Sequence, residues 1–564
     1  LKRLTDLITI KKADIGIINN ILAYTQDKPL LFTQLFFWAF FLIVLLFYSL
    51  VYKINKLRTI YLLAVSLFFY FKTSGVFVLL LVFTICSDYF WGRKIHVGSS
   101  IWKKKLFLTV SVLLNLTLLC YFKYAYFFAE SFNQISGDQF KFFNHFAAFS
   151  NTYLSTHFRL DQLILPVGVS FFTFQSLSYT IDIYRKRIEP VKSVFDYGFF
   201  VCFFPHLVAG PIVKAHEFVH QIYQPYRLSK FEFGMAIFWI INGFCKKIVA
   251  DYIAVNFIDR IFDSPNYYSG LETVLGIFGY SLQIYMDFSG YTDMAIGLAL
   301  ILGYRLKANF NSPYKSTSTS EFWKRWHISL STWLQEYLYF PLGGNRKGTI
   351  GSYIAMAVIA VFLVLLSGKI WLIVILIFIT VVLLILSYFS ERFKRGLNTN
   401  INLMVTMLLG GLWHGSSWLF IIWGGLNGIG LVVHKTWTKI SPFKGNNSLF
   451  MKIILMLVTL SFISFTRIFF RSSNMETVNM IFNRISEHFG SELFLDVIVG
   501  YKVVLFAILL GYLVHWIPEH LKDRYRKWFA SRSYFIMGLI IVFAVLCMYQ
   551  LMSGEMQPFI YFQF

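Results

Sequence analysis

Residues 403–423, LMVTMLLGGLWHGSSWLFIIW, contain no Lys, Arg, Asp or Glu. Such a run is long enough to cross a bilayer as a helix. Comparable runs recur from one end of the chain to the other, and this recurrence limits the fold more than any motif does. In lipid every backbone polar group must be satisfied internally, which leaves helices or closed barrels. Runs of this length favour helices, so the expected fold class is an all-α polytopic membrane protein. Apolar runs at 31–52, 59–71, 75–91 and 105–122, with later ones near 416–433, 451–466, 500–516 and 535–552, suggest about thirteen to fifteen spans or partial spans. Composition agrees, with 57% hydrophobic and 14% charged residues and a mean hydropathy of +0.61. A soluble chain of 564 residues needs more polar surface than that. No long polar segment stands apart, so residues 1–564 are expected to form one integral membrane domain, with 1–29 as a polar lead-in and no cleavable signal peptide.

The net charge of +23 does not point to nucleic acid. Most basic residues cluster between apolar runs, as at Lys53/Lys56/Arg58 and Arg93/Lys94/Lys103/Lys104/Lys105, where the positive-inside rule places them in the cytoplasm. That assignment puts the N-terminus outside. The five cysteines include no CxxC pair, which argues against a disulfide framework or a zinc ribbon.

Within residues 403–423 the one ionisable group is His414. On an unbroken helix it would lie roughly 15 Å from either face. A polar ring at that depth should face a protein-lined, wet cavity, or else hydrogen-bond a neighbouring helix and only pack. Gly410, Gly411, Gly415, Ser416 and Ser417 leave space beside it, and Trp413 and Trp418 add bulk. Ser416 and Ser417 could suggest a nucleophile, but no nearby acid would orient the ring, and small residues at a helix contact explain them more cheaply.

A second landmark is STSTSEFWKRWHISLSTWLQEYLYFPLGGNRKG, residues 316–348. Ser318 with Glu321 matches a capping box, and Pro341, Gly343 and Gly344 mark a stop. Between them Lys324, His327, Ser331 and Gln335 fall on one helical stripe. The aromatic remainder suits an interfacial helix. Residues 350–388 read as an apolar hairpin broken at Ser367-Gly368-Lys369.

Gln283, Asp287 and Asp293 lie inside the apolar run 280–303. Buried carboxylates need partners or stay protonated. They could line a tunnel or join helices. Pro205 and Pro211 prevent residues 203–214 from forming a straight helix. His216-Glu217-Phe218-Val219-His220 spells HExxH, a zinc-peptidase pattern. The flanking Pro211 and Pro225, and the reading of this segment as a basic loop, count against it, so no metal is expected.

Taken together and in order, PVGVSFFTFQSLSYTIDIYR, FFPHLVAGPIVK, QIYMDFSGYTDMAIGLALILGYRLKANFNSPY, EFWKRWHISLSTWLQEYLYFPLGGNRKG, MLLGGLWHGSSWLFIIWGGLNG and PFIYFQF resemble the membrane-bound O-acyltransferase (MBOAT) family, in its bacterial alginate O-acetyltransferase-like branch. The resemblance implies an MBOAT-type helical bundle with re-entrant or interfacial helices around a central funnel or tunnel. It implies that His414 is the active-site histidine and His327 the second signature position. It further implies a multi-pass protein of the bacterial cytoplasmic (inner) membrane and an acyl-CoA co-substrate, acetyl-CoA in this branch, with no bound cofactor. The acceptor would be an extracytoplasmic hydroxyl on an exopolysaccharide or cell-wall polymer, reached with an extracytoplasmic partner protein. Lys324, Arg325 and Arg346 are candidates for the donor phosphates; Asp287, Asp293, Gln283 and Trp413 are candidates for polar or aromatic support. The chain departs from the family pattern in the 350–388 hairpin, which separates GGNRKG from the His414 segment. The alternatives are D-alanyl transfer from a carrier protein, an acyl conduit without catalysis, and a non-catalytic scaffold.

Overall fold

The computed structural model describes residues 30–549 except 155, 161–164, 209, 368, 370 and 443–447. The 1–29 lead-in and the PFIYFQF ending lie outside the described residues. All regular structure among the described residues is helical, and the chain is an all-helical, multi-pass membrane protein. Among the described residues six stretches are long and apolar enough to cross a membrane, or seven if Ser491–Gly500 and Lys502–Trp516, bent by 88°, count as one span. That is fewer than the sequence suggested. Expected runs at 59–71 and 75–91 fall in one stretch, Asn55–Val97, and Leu35–Val51 is a short apolar helix.

Contacts divide the chain into two compact units: residues 1–119, 165–229 and 298–305, and residues 120–164, 230–297 and 306–564.

In the first unit the Val169–Tyr184 helix is buried along nearly its whole length. Its small hydroxyl residues allow close packing and hydrogen bonding without water. Asp88, fully buried, accepts from Ser111 Oγ at 2.7 Å and Asn115 Nδ2 at 2.9 Å. Arg58, expected in a cytoplasmic loop, is instead buried in the first turn of the Asn55–Ser74 helix. Its guanidinium donates to the carbonyls of Ile222 and Gln224. Residues 203–214 are broken as the prolines require, with a short Phe204–Leu207 helix and non-helical chain beyond it.

HExxH is not a loop but a short helix, Ala215–Ile222. Its first histidine is committed elsewhere: His216 Nδ1 lies 2.8 Å from Asp182 Oδ2, and His220 is exposed. Among the described residues no three His, Cys, Asp or Glu side chains are grouped to hold a metal ion.

In the second unit two long helices, Lys230–Ile253 and Gly270–Ile301, cross at Gly243 and Gly290. A Cβ on Gly243 would lie 2.3 Å from the Gly290 carbonyl, so the backbones meet without side chains between them. That approach brings Lys247 Nζ within 2.7 Å of both Asp251 Oδ1 and Asp287 Oδ1. The Asp287 contact is an ion pair between the two helices. Lys246 Nζ donates to Asp293 Oδ2 at 2.7 Å, and Asn242 Nδ2 donates to the same oxygen. The two acids therefore join helices.

The apolar hairpin forms as expected, from Ile350–Ser367 and Trp371–Phe389. No residue of its second helix is buried, the state of a helix whose surroundings are lipid. Although it interrupts the sequence, GGNRKG stays beside the His414 helix. Asn402 Nδ2 donates to the carbonyls of Gly344 and Lys347. Its Oδ1 accepts from Ser352 Oγ at 2.7 Å, and Tyr353 donates to Asn398 Oδ1.

Candidate active site

The helix carrying the central histidine, Glu391–His414, begins at a Ser390 cap, where Ser390 Oγ accepts from the Phe393 N–H. It stops at His414. Gly415 is extended, and Trp418 opens the next helix, Trp418–Ile440. Residues 403–423 are thus not one span, and His414 stands at a helix end instead of mid-membrane on a continuous rod. The cause is Gly415-Ser416-Ser417: a Cβ at 415 would lie 2.0 Å from the Phe420 ring, so only glycine fits the fold-back. Irregular backbone inside a membrane protein is tolerated where it is buried in protein or lines a cavity.

The two helices then run antiparallel in close contact. A Cβ on Gly411 would lie 2.3 Å from the Phe420 carbonyl, and one on Gly424 would lie 2.4 Å from the Met407 carbonyl. Gly424→Ala must push this pair apart next to Trp423. We expect a loss of about 1–3 kcal/mol of stability, the usual cost of overpacking, read as a lower thermal midpoint in detergent.

His327 is also at an interruption. The expected Ser318–Glu321 start is present: Ser318 Oγ accepts from the Glu321 N–H, while the Glu321 carboxylate accepts from the Thr317 N–H and hydroxyl, one residue further back than in a standard box. Burial pushes this carboxyl upward, but the Thr317 bonds and the Arg325 guanidinium outweigh it and hold it below its usual range. The helix then ends at Arg325, and a new one runs Ile328–Leu334. Between them His327 takes φ 44° and ψ 54°. A non-glycine residue held in the left-handed region costs on the order of 1–3 kcal/mol and persists only where its surroundings fix it. Asn309 supplies that: its carbonyl accepts from the Ile328 N–H at 2.9 Å, and its Oδ1 from the Ser329 N–H and hydroxyl.

These two breaks bring the imidazoles together. The ring centroids of His327 and His414 are 6.1 Å apart. His414 is 3% exposed and His327 fully buried. Trp413 lies 5.0 Å from His414 and 5.9 Å from His327. Trp423 and Phe470 close on His414 edge-to-face, and Phe288 on His327. Arg467, 1% exposed, lies with its guanidinium carbon 4.2 Å from the Trp326 ring centroid, a cation–π contact that offsets part of its desolvation.

Beside His414 is a cavity of ≈ 290 Å³, close to the low end of small-molecule sites, about 300–1,000 Å³. Lys324, Ser331, Gln335, Thr406 and Trp423 line it together with His414. The stripe read from the sequence thus largely survives, except that the left-handed turn takes His327 out of the cavity wall and points the chain toward Phe288. Arg325 does not reach the cavity, because it is drawn into an ion pair with Glu321 at 2.9 Å. Arg346 is exposed in the turn after the second helix and does not line it either. Gln283, Asp287 and Asp293 are likewise absent from its wall. The sequence reading missed Lys246, Lys247, Lys123 and Arg467. Each is a basic residue inside an apolar run, and that is the signal that could have found them.

Fold and site together define a multi-pass membrane enzyme working inside its own helical protein. Residues 98–387 match the family described as MBOAT, membrane-bound O-acyltransferase family, a span that includes His327. The chain is 34% identical over 492 residues to the peptidoglycan O-acetyltransferase of Helicobacter pylori, covering 81% of this chain and 80% of that protein. It is 36% identical over 403 residues to the probable alginate O-acetylase AlgI of Azotobacter vinelandii, covering 70% and 67%. The teichoic acid D-alanyltransferase of Bacillus subtilis is more distant, at 27% over 219 residues, 38% of this chain and 55% of that protein. The chain belongs to the membrane-bound O-acyltransferase family and is an O-acyltransferase.

Proposed function

We propose that this protein transfers an acetyl group from cytoplasmic acetyl-CoA to a hydroxyl of an extracytoplasmic polysaccharide or cell-wall polymer, in the bacterial inner membrane and with an extracytoplasmic partner protein. The observation that carries this reading is His414, itself buried, on the wall of a cavity, with His327 packed behind it. A neutral imidazole of His414 takes the hydroxyl proton as the alcohol oxygen attacks the thioester carbonyl carbon. The C–S bond then breaks, and the CoA sulfur leaves as thiolate, accepting the proton from the imidazolium. His327, packed behind His414 and off the cavity wall, serves as a positioning group. Lys324, on the cavity wall, is the candidate for a donor phosphate.

The acetyl reading is favoured over D-alanyl transfer by the relatives, whose O-acetyltransferase members are the more similar. The test supplies the purified protein with acetyl-CoA or with a D-alanyl-charged carrier protein and follows free thiol with a thiol reagent. Thiol release from acetyl-CoA is expected. Release from the carrier alone would replace the donor, and movement of acetyl groups without thiol release would make the protein a conduit.

A further inference from the structure

The His414 helix ends abruptly, and its last three carbonyls have no following turn to receive them. All three are met from a distant part of the chain. Residues Cys120–Tyr124 form one turn of π-helix. From it Tyr124 OH donates to the Leu412 carbonyl at 2.8 Å. Lys123 Nζ donates to the Trp413 carbonyl at 2.5 Å and to the His414 carbonyl at 3.3 Å. The same ammonium lies 5.8 Å from the centroid of the Trp413 ring. A cation at a helix C-terminus is where the helix dipole favours it, and single π-helical turns occur often at functional sites.

We infer that Lys123 and Tyr124 form a positioning clamp that fixes the end of the His414 helix, and with it the imidazole, against the cavity. Neither residue touches the reacting atoms. They act through the backbone of residues 412–414. Gly415 is extended and the chain folds back at once, so the helix offers no following turn to these carbonyls. The clamp's catalytic consequence rests on His414 being the base; its mechanical part does not.

The test uses the full-length protein as Lys123→Met, Lys123→Arg and Tyr124→Phe, with two readouts. The first is amide hydrogen exchange of the peptide containing residues 411–414. Lys123→Met should speed it on the order of tenfold, as local opening becomes easier. The second is thiol release from acetyl-CoA. Misplacing a reacting group by about 1 Å can cost about 10²-fold, so kcat should fall roughly 10–100-fold with KM for acetyl-CoA within about twofold. Lys123→Arg keeps the charge and reach and should restore both readouts to near wild type, which a general loss of packing would not. Unchanged exchange in Lys123→Met and Tyr124→Phe overturns the clamp. Faster exchange with unchanged kcat overturns its catalytic part. If Lys123→Met does not fold, Tyr124→Phe decides alone, with exchange at wild-type rate counting against. An active His414→Ala variant would sink the base assignment while leaving the exchange result to judge the clamp.

Discussion

His414→Ala is expected to abolish acyl transfer while the protein still folds. General-base assistance is worth about 10²–10⁴-fold, and the alanine removes the imidazole from the cavity wall. Trp423 and Phe470 also pack against each other, ring centroids 5.0 Å apart, so the fold should lose less than the chemistry. Thiol release from acetyl-CoA should fall to background, with the thermal midpoint shifted by a few degrees at most. His327→Asn is the informative companion, since asparagine tolerates the left-handed backbone that His327 occupies. Its loss should be smaller. Near-normal transfer by His414→Ala would end the assignment of this imidazole as base.

Lys247→Met should be among the most destabilising single changes in the protein. The lysine side chain is 1% exposed and stands between Asp251 and Asp287, the latter 4% exposed. Removing the cation takes the ion pair from the buried Asp287 carboxylate and from Asp251, which is 14% exposed. Breaking one side of a buried pair costs about 3–5 kcal/mol, much more than the net worth of the intact pair. The same arithmetic predicts rescue: the double variant Lys247→Met with Asp287→Met should recover much of the loss. Thermal unfolding in detergent measures both. A single variant as stable as wild type would mean that this ion pair does not hold the two helices together.

Much of the architecture was legible because it follows from local rules. Apolar runs gave the class, Ser318 its cap, and Gly343 and Gly344 their positive-φ stop. The need of Asp287 and Asp293 for partners was also readable from the cost of burying charge, although the partners were not. Lys246 and Lys247 sit within an apolar helix of their own, and nothing in a single sequence says which helices cross. The site was less legible for a related reason. His414 and His327 stood out by chemistry, but their meeting depends on two breaks that a hydropathy window passes over. Gly415-Ser416-Ser417 carries no proline and little polarity, and the left-handed turn at His327 is enforced by Asn309 from outside the helix. Lys123 is further still, contacting a carbonyl 290 residues away.

The Ile350–Phe389 hairpin departs from the apolar runs around it in how it is attached. It leaves the scaffold where Ser352 and Tyr353 are tied to Asn402 and Asn398, and it rejoins at the Ser390 cap of the same helix. Both its helices also pack on that helix, and the Phe362 ring lies 6.4 Å from the Trp418 ring. A push on the hairpin is therefore carried straight into the helix that ends at His414.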